Sequence, residues 1–188
     1  LKAFCQMKKS IDAIFVDRDG VLNYDSGYSF KFNKDLIFHD SIAFLRQYSL
    51  RKIPIIIITN QSGIAREYFG MKDFLQFSYE MVSFYRSKGV IINDIFMCPH
   101  ININYNNTYS RFCLCRKPKP ILFTKAINKY KLKPKNCIMI GDKTADLLPA
   151  YMLDFSMRIL INRMAENLKP TRIGKKFILV NSLSQVNI

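Results

Sequence analysis

The chain has 188 residues, of which 49% are hydrophobic, and these values predict one folded domain over residues 1–188 and exclude a disordered chain. Its formal net charge of +15 favours an anionic partner, so a small phosphorylated molecule and nucleic acid are both considered, beside the common alternative of a solvated lysine-rich face. Apolar runs are too short to cross a bilayer, and the first ten residues lack the apolar core of a signal peptide. We therefore expect a soluble cytoplasmic protein without a membrane partner, and we expect it to be a monomer.

The first predicted element is an apolar run at residues 13–16, which is typical of a strand buried on both faces at the centre of a parallel sheet. The run stops at Asp17 and Asp19, and Gly20 then allows a sharp turn. Two carboxylates this close together suit Mg²⁺, which prefers oxygen ligands. One carboxylate can attack phosphorus while the other handles the proton of the leaving oxygen. A solvated turn is the alternative that these residues leave open.

Residues 21–38 predict a hairpin or flap over the end of this strand. Asp40 or Ser41 is predicted to cap a short helix that ends near Arg51 and Lys52, and a second buried strand follows at 53–59. This strand leads into short polar residues that could hold a phosphate or a sugar, or form an ordinary loop. They are Thr59, Asn60, Gln61, Ser62 and Gly63.

A helix with a core-facing stripe is predicted next, because apolar residues recur at helical spacing up to Lys88 and Gly89. The stripe consists of Met71, Phe74, Leu75, Met81, Val82 and Tyr85. A third strand is predicted at 90–97.

A cluster of metal ligands follows the third strand. The chain has five cysteines, an odd number that favours a metal site in a reducing compartment over a disulfide framework. Two close ligand pairs separated by a loop predict a closed, four-coordinate Zn²⁺ site in a small insertion at about 98–115. The ligands are Cys98, His100, Cys113 and Cys115. Free cysteines beside a chance histidine are the alternative reading, and Cys5 and Cys137 are predicted to stay outside the site.

A basic segment comes directly after the last of these cysteines. Arg116 and Lys117 could offset charge on a transferring phosphoryl group if the segment lies at the sheet edge. Nine Lys or Arg residues and no acidic ones lie between positions 111 and 135. A helix is predicted at 121–131 within this stretch, with Lys125 and Lys129 facing solvent.

A fourth strand at 137–140 also ends in acid, and Asp142 is the natural third anchor for a cation held by Asp17 and Asp19. Asp146 could cap the next helix, order Lys143 or position the waters of the metal. Pro149 predicts a kink or an early end of that helix. Strands at 157–161 and 177–180, joined by a basic loop, complete the sheet.

Strands that alternate with helices imply right-handed crossovers and a parallel sheet covered on both faces. The predicted class is therefore α/β, a Rossmann-like doubly wound parallel sheet.

With these motifs in order, the chain resembles the haloacid dehalogenase superfamily of phosphatases, whose four motifs it covers over residues 11–146. The zinc loop, Gly27-Tyr28 and the run from Thr59 to Arg66 look like the D-glycero-D-manno-heptose 1,7-bisphosphate phosphatases within it. The resemblance implies a cap-less fold and Mg²⁺-dependent removal of the C7 phosphate from a small phosphorylated sugar, in nucleotide-heptose and surface polysaccharide biosynthesis.

The resemblance also assigns roles to matching positions. It implies Asp17 as nucleophile and Asp19 as general acid and then base, with Mg²⁺ held by Asp17, the Asp19 carbonyl and Asp142. Thr59 and Lys117 would grip the phosphoryl group. Asn60 and Arg116 would face the substrate, Lys143 would support the metal cluster, and the three cysteines and His100 would bind zinc. The loop after Ile161 lacks the Thr-Gly pattern expected for the family.

Three alternatives remain open. A histidinol-phosphate phosphatase shares the fold and the zinc loop, but that family carries an acid where this chain has Ser62. A polynucleotide 3'-phosphatase has a similar Thr-Asn-Gln stretch without the zinc loop. A zinc-stapled nucleic-acid binding module would have no reason to keep the acids, Thr59 and Lys117 together.

Overall fold

The computed structural model describes residues 10–25, 27–103, 106–165, 171–173 and 177–186. Seven strands form a single sheet, and four α-helices accompany them in the described part of the chain. The strands are β1 (Ala13–Val16), β2 (Ile55–Asn60), β3 (Ile92–Cys98), β4 (Cys137–Gly141), β5 (Met157–Ile161), β6 (Thr171–Ile173) and β7 (Phe177–Val180). The helices are α1 (His39–Leu50), α2 (Met71–Ser87), α3 (Ile121–Tyr130) and α4 (Thr144–Met152).

The strand order is β3-β2-β1-β4-β5-β7-β6, with β1 in the interior of the sheet. Every pairing from β3 across to β7 is parallel, as predicted. The edge strand β6 pairs antiparallel with β7. The prediction of a plain basic loop between the last two strands is therefore wrong at Thr171–Ile173, where a three-residue run is too short to give a strand pattern in the sequence.

Both faces of the sheet are buried, which explains the unbroken apolar runs. Side chains of a strand alternate between faces, so Ile14 and Val16 pack in the core formed with α1 and α2. Ala13 and Phe15 pack in the opposite core with α3 and α4, where the Phe15 ring stacks on Phe123 at 5.8 Å. The doubly wound prediction is confirmed.

The sequence placed most element boundaries within two residues, and the differences have local causes. Helix α1 begins at His39 and its N-cap residue is Phe38, so neither Asp40 nor Ser41 caps it. Both side chains are engaged elsewhere: Ser41 donates to the Val21 carbonyl, and Asp40 accepts from Arg163. On α2, Leu75 is 59% exposed and was wrongly placed in the core stripe, whereas the buried Phe77 completes it.

Pro149 does not end helix α4, which continues to Met152. Proline lacks the N–H that would bond the carbonyl four residues earlier. Only five residues of the helix precede Pro149, so it removes a single internal hydrogen bond, the one to the carbonyl of Ala145.

Two connections lie over the C-terminal edge of the strands, and no inserted cap domain is present in the described ranges. The described residues among 21–38 form an irregular flap rather than a hairpin, and isolated bridges join Asn23 to Asp19 and to Ile37. The second connection is the zinc loop at 98–115. The described helices include none long and apolar enough to cross a membrane. Cys5, and residues 166–170 and 174–176 of the predicted basic loop between the last two predicted strands, lie outside the described residues.

Candidate active site

A polar pocket of about 440 Å³ opens where β1 and β2 end, and the parallel sheet brings their C-terminal residues together. The structure brings seven of the predicted catalytic and substrate-binding residues to its lining. They are Asp17, Asp19, Thr59, Asn60, Arg116, Lys117 and Lys143. Asp142, at the end of the neighbouring β4, lines an adjacent cavity beside Gly20. The C-terminal edge of the sheet is thus the site, as expected for an open α/β sheet.

A buried lysine holds the predicted nucleophile. The Lys117 ammonium lies 2.8 Å from Asp17 Oδ1 and 2.7 Å from Asp146 Oδ1, and it donates to the Ile58 carbonyl at 2.7 Å. Burial would lower the pKa of Lys117, but the two carboxylates raise it above its ordinary value. Lys117 therefore stays charged beside Asp17, where a phosphoryl group would be transferred.

The site contains more acidic side chains than basic ones to neutralise them. A bound divalent cation would supply the missing positive charge. Carboxylate oxygens of Asp17, Asp142 and Asp146 lie within 4.8 Å of one another. Burial, followed by the nearby Asp146, raises the pKa of Asp17 to about 7, although Lys117 opposes the shift. The same two causes raise the pKa of Asp142 to about 6. Asp142 Oδ1 is also buried without a hydrogen-bond partner in the structure. This set of hard oxygen ligands fits Mg²⁺.

Asp146 belongs to this cluster, although the sequence analysis expected it only to cap a helix, order Lys143 or position the waters of the metal. Its Oδ2 accepts a hydrogen bond from the backbone N–H of Lys143, as the predicted cap would, while Oδ1 binds Lys117. Its position four residues after Asp142, at the start of a helix, was the available signal. Lys143 itself is exposed and lies 3.4 Å from Asp142 and 3.3 Å from Asp25.

The side chain of Asp19 stands apart from the acid cluster. Arg18 binds it at 2.9 Å, and Asn23 and Gln61 each donate a hydrogen bond to it at 3.0 Å. The site thus separates one carboxylate beside a lysine from another that is surrounded by hydrogen-bond donors. Only the backbone carbonyl of Asp19 was expected at the metal. Arg18 and Asn23 were missed as site residues, and Gln61 was expected only as one of the polar residues after β2 that could hold a phosphate or a sugar, because the sequence alone does not say which buried polar groups pair.

The remaining predicted binding residues fall into two types. The Thr59 hydroxyl is buried and accepts a hydrogen bond from Gln61 at 2.8 Å, which leaves its own hydrogen available to an acceptor. Asn60 is partly exposed and exchanges two hydrogen bonds with the backbone of Lys117, so it fixes the basic segment to the end of β2. Arg116 donates to the His100 carbonyl at 3.2 Å, which ties the same segment to the zinc loop.

The four predicted zinc ligands converge. Cys98 Sγ lies 3.1 Å from Cys115 Sγ and 3.6 Å from Cys113 Sγ, and His100 Nδ1 lies 3.2 Å from the Cys115 sulfur. Ligands at about 2.3 Å from a tetrahedral zinc ion would be roughly 3.8 Å apart, so the cluster is slightly tighter than that geometry. All three cysteines are free thiols, and burial raises the pKa of Cys98. A metal ion would stabilise the thiolate forms in this position.

Known proteins resemble this chain over most of its length. A protein-family model described as haloacid dehalogenase-like hydrolase matches residues 17–150. The D-glycero-beta-D-manno-heptose-1,7-bisphosphate 7-phosphatase of Pasteurella multocida is 39% identical over 142 residues, covering 76% of this chain and 75% of the relative. The enzyme of the same name from Haemophilus ducreyi is 35% identical over 173 residues, covering 91% and 93%. The D-glycero-alpha-D-manno-heptose-1,7-bisphosphate 7-phosphatase of Campylobacter jejuni is 38% identical over 151 residues, covering 80% and 82%.

Solved structures support the same fold. A haloacid dehalogenase-like phosphatase from Mesorhizobium loti superimposes with a TM-score of 0.80 at 23% identity, covering 94% of this chain and 82% of that one. A D,D-heptose 1,7-bisphosphate phosphatase from B. bronchiseptica, solved with magnesium and phosphate, gives a TM-score of 0.75 at 24% identity, covering 93% and 95%. Because the family model spans more than half of the chain and the curated relatives exceed 30% identity, the chain belongs to the haloacid dehalogenase-like hydrolases.

Proposed function

We propose that this protein is a Mg²⁺-dependent phosphatase that removes the C7 phosphate of D-glycero-D-manno-heptose 1,7-bisphosphate through an aspartyl phosphate on Asp17. The observation that carries the reaction type is the contact between Asp17 and Lys117 at the end of β1, beside two further acids. The curated relatives, all named for this sugar bisphosphate, support the substrate.

In the first step, an oxygen of Asp17 attacks the phosphorus and the bond from phosphorus to the C7 oxygen breaks. Asp19 gives its proton to the departing oxygen, so the sugar leaves as an alcohol. Thr59 donates its hydroxyl hydrogen to a phosphoryl oxygen, and Lys117 offsets the negative charge.

In the second step, a water molecule attacks the phosphorus of the aspartyl phosphate. Asp19, now ionised, takes a proton from that water, and the bond between phosphorus and the Asp17 oxygen breaks to release inorganic phosphate. Asp17 is thereby regenerated.

Asp17, Asp142 and the backbone carbonyl of Asp19 would hold Mg²⁺, with Asp146 beside them. When bound, the ion supplies positive charge that neutralises the phosphoryl oxygens and keeps the buried Asp17 ionised. The cysteine and histidine cluster would hold a structural Zn²⁺ that fixes the loop leading into Arg116 and Lys117.

The test is phosphate release, in the presence of Mg²⁺, from four compounds: the two anomers of heptose 1,7-bisphosphate, histidinol phosphate and a 3'-phosphorylated oligonucleotide. We expect strong preference for the heptose bisphosphate and loss of this activity in Asp17→Asn. Asp154→Asn is the matched control, because Asp154 is an exposed aspartate of the loop after α4 that is not part of the site. Preference for histidinol phosphate, or turnover of the oligonucleotide alone, would overturn the heptose assignment. An Asp17→Asn variant with normal activity would overturn the mechanism.

A further inference from the structure

Gln61 is a buried amide that no part of the proposed reaction yet uses. It is 4% exposed, and its side chain joins three residues of the site. Its Nε2 donates to Asp19 Oδ2 at 3.0 Å and to Thr59 Oγ1 at 2.8 Å, and its Oε1 accepts from Arg18 at 3.1 Å. Both hydrogens of the amide nitrogen are therefore used, and each points to a residue with a proposed role.

Arg18 fixes which way this amide faces. A guanidinium group can only donate hydrogen bonds, so the oxygen of Gln61 must face Arg18 and the nitrogen must face Asp19 and Thr59. Arg18 itself has little freedom, because it is 1% exposed and lies over the Phe77 ring at 4.3 Å. It also donates to the Ser29 carbonyl at 3.0 Å. A rigid cation thus sets the orientation of the amide.

Gln61 supplies a link that the other partners of Asp19 lack. Arg18 and Asn23 adjoin Asp19 in the same turn of the chain, whereas Gln61 reaches it from the end of β2. Because the same amide also donates to Thr59, it fixes the distance between the Asp19 carboxyl group and the expected position of the transferring phosphoryl group. Proton transfer to a leaving oxygen requires this kind of fixed distance, since small displacements of a catalytic group are costly.

We propose that Gln61, oriented by Arg18, is a positioning residue that sets the Asp19 carboxyl group for proton transfer to the leaving oxygen. This inference rests on the proposed phosphatase reaction. It assigns Gln61 no contact with the transferred phosphoryl group and no part in the attack by Asp17. The positioning role is therefore confined to substrates whose leaving oxygen needs a proton, whereas any effect through the hydrogen bond from Gln61 to Thr59 would fall equally on all substrates.

The test compares two leaving groups in Gln61→Met, which keeps the length of the side chain and removes its hydrogen bonds. For heptose 1,7-bisphosphate, whose alkoxide must be protonated, we expect kcat/KM to fall roughly 10- to 100-fold, within the range that general acid catalysis contributes. For p-nitrophenyl phosphate, whose phenolate leaves without a proton, we expect a change of less than about 3-fold because kcat/KM reports only the first step. Gln61→Asn, which keeps an amide but is one methylene shorter, should show the same selectivity.

Three further measurements make the outcomes distinct. Asp19→Asn should show the same preference for p-nitrophenyl phosphate over heptose 1,7-bisphosphate, with the largest difference of the variants tested. Gln76→Ala changes an exposed glutamine of α2 and should leave both rates unchanged. Circular dichroism checks that each variant is folded. Equal losses on both substrates, or no loss on either, would overturn the role of Gln61. Failure of the wild-type protein to hydrolyse either compound would instead overturn the proposed function, and the positioning role with it.

Discussion

At the scale of single residues, Gly20 is packed tightly against the acid cluster. Its φ is +78°, and a Cβ atom placed on it would stand 2.4 Å from Asp142 Oδ2. We expect Gly20→Ala to displace Asp142 and to lower phosphatase activity at least tenfold. The left-handed backbone alone should reduce the free energy of unfolding by about 1–2 kcal/mol. Steady-state kinetics and thermal unfolding measure the two effects separately.

The matched control for this variant is Gly89→Ala. Gly89 has nearly the same φ, +79°, and lies after α2, where an added Cβ atom would meet only the flexible side chain of Arg46. We expect a similar loss of stability and unchanged kinetics. Equal activity in both variants would contradict the claim that the contact between Gly20 and Asp142 shapes the site.

The sequence predicted individual catalytic and binding residues, but it did not predict the side chains with which they form hydrogen bonds and ion pairs. Asp17, Thr59 and Asp142 stand where apolar runs stop, and parallel strands carry their C-terminal ends to one edge. Gln61 follows the same apolar run as Thr59, but its hydrogen bond with Arg18 gave no comparable signal. A basic residue between two acids would normally be read as solvated, and only the folded chain shows that Arg18 is 1% exposed.

At the scale of elements, the loop that follows β3 is the part of the fold that we expect to depend most on a bound metal ion. Residues 99–120 contain no helix or strand in their described part, and three of their side chains converge with that of Cys98 at the end of β3. The loop is joined to the site at both ends: the carbonyl of Cys98, which ends β3, accepts from the Gln61 backbone N–H at 2.7 Å, and Lys117 contacts Asp17 at 2.8 Å. Within the loop, the His100 carbonyl accepts from Arg116. Metal binding and active-site order should therefore be linked.

We expect Cys113→Ser to lose zinc and to lower activity at least tenfold, because Arg116 and Lys117 would no longer be held in place. The sheet should persist, since its two cores do not depend on this cysteine for their main contacts. Elemental analysis, far-ultraviolet circular dichroism and kinetics test the three statements. Cys137→Ser is the matched control, because Cys137 lies in β4 outside the cluster and should keep both zinc and activity. Full zinc content in Cys113→Ser would contradict the assignment of the ligand.

Element prediction succeeded where a single physical factor decided the outcome. Strands β5 and β7 were placed at their observed bounds because each is a short, mostly apolar run between polar residues. The N-terminus of α1 was misplaced because two candidate caps were recruited by a tertiary contact: Arg163, in the loop after β5, binds both Asp40 and Ser41. Such long-range competition has no signature in a local window of sequence.

At the scale of the whole molecule, the net charge of +15 acts on stability as well as on ligand attraction. Like charges repel in the compact state, and the folded chain gains stability when salt screens them. Nine of the basic residues lie in positions 111–135, where Lys125 and Lys133 have exposed side chains. The same field would attract an anionic sugar bisphosphate and would weaken at the same salt concentrations.

We expect the melting temperature to rise as sodium chloride increases from 10 to 150 mM, a range over which the Debye length falls from about 30 to about 8 Å. Relief of repulsion worth about 1 kcal/mol would raise the melting temperature by about 2–4 °C in a chain of this size. Replacing Lys125 and Lys133 by glutamate lowers the net charge by two units at each site, so the double variant should melt higher at low salt and respond less to added salt. The matched variant with arginine at both positions keeps the charge and should behave like the parent. If the melting temperature of the parent protein does not change with salt, its charges are already balanced locally. Electrostatic repulsion then does not limit the stability of the folded chain.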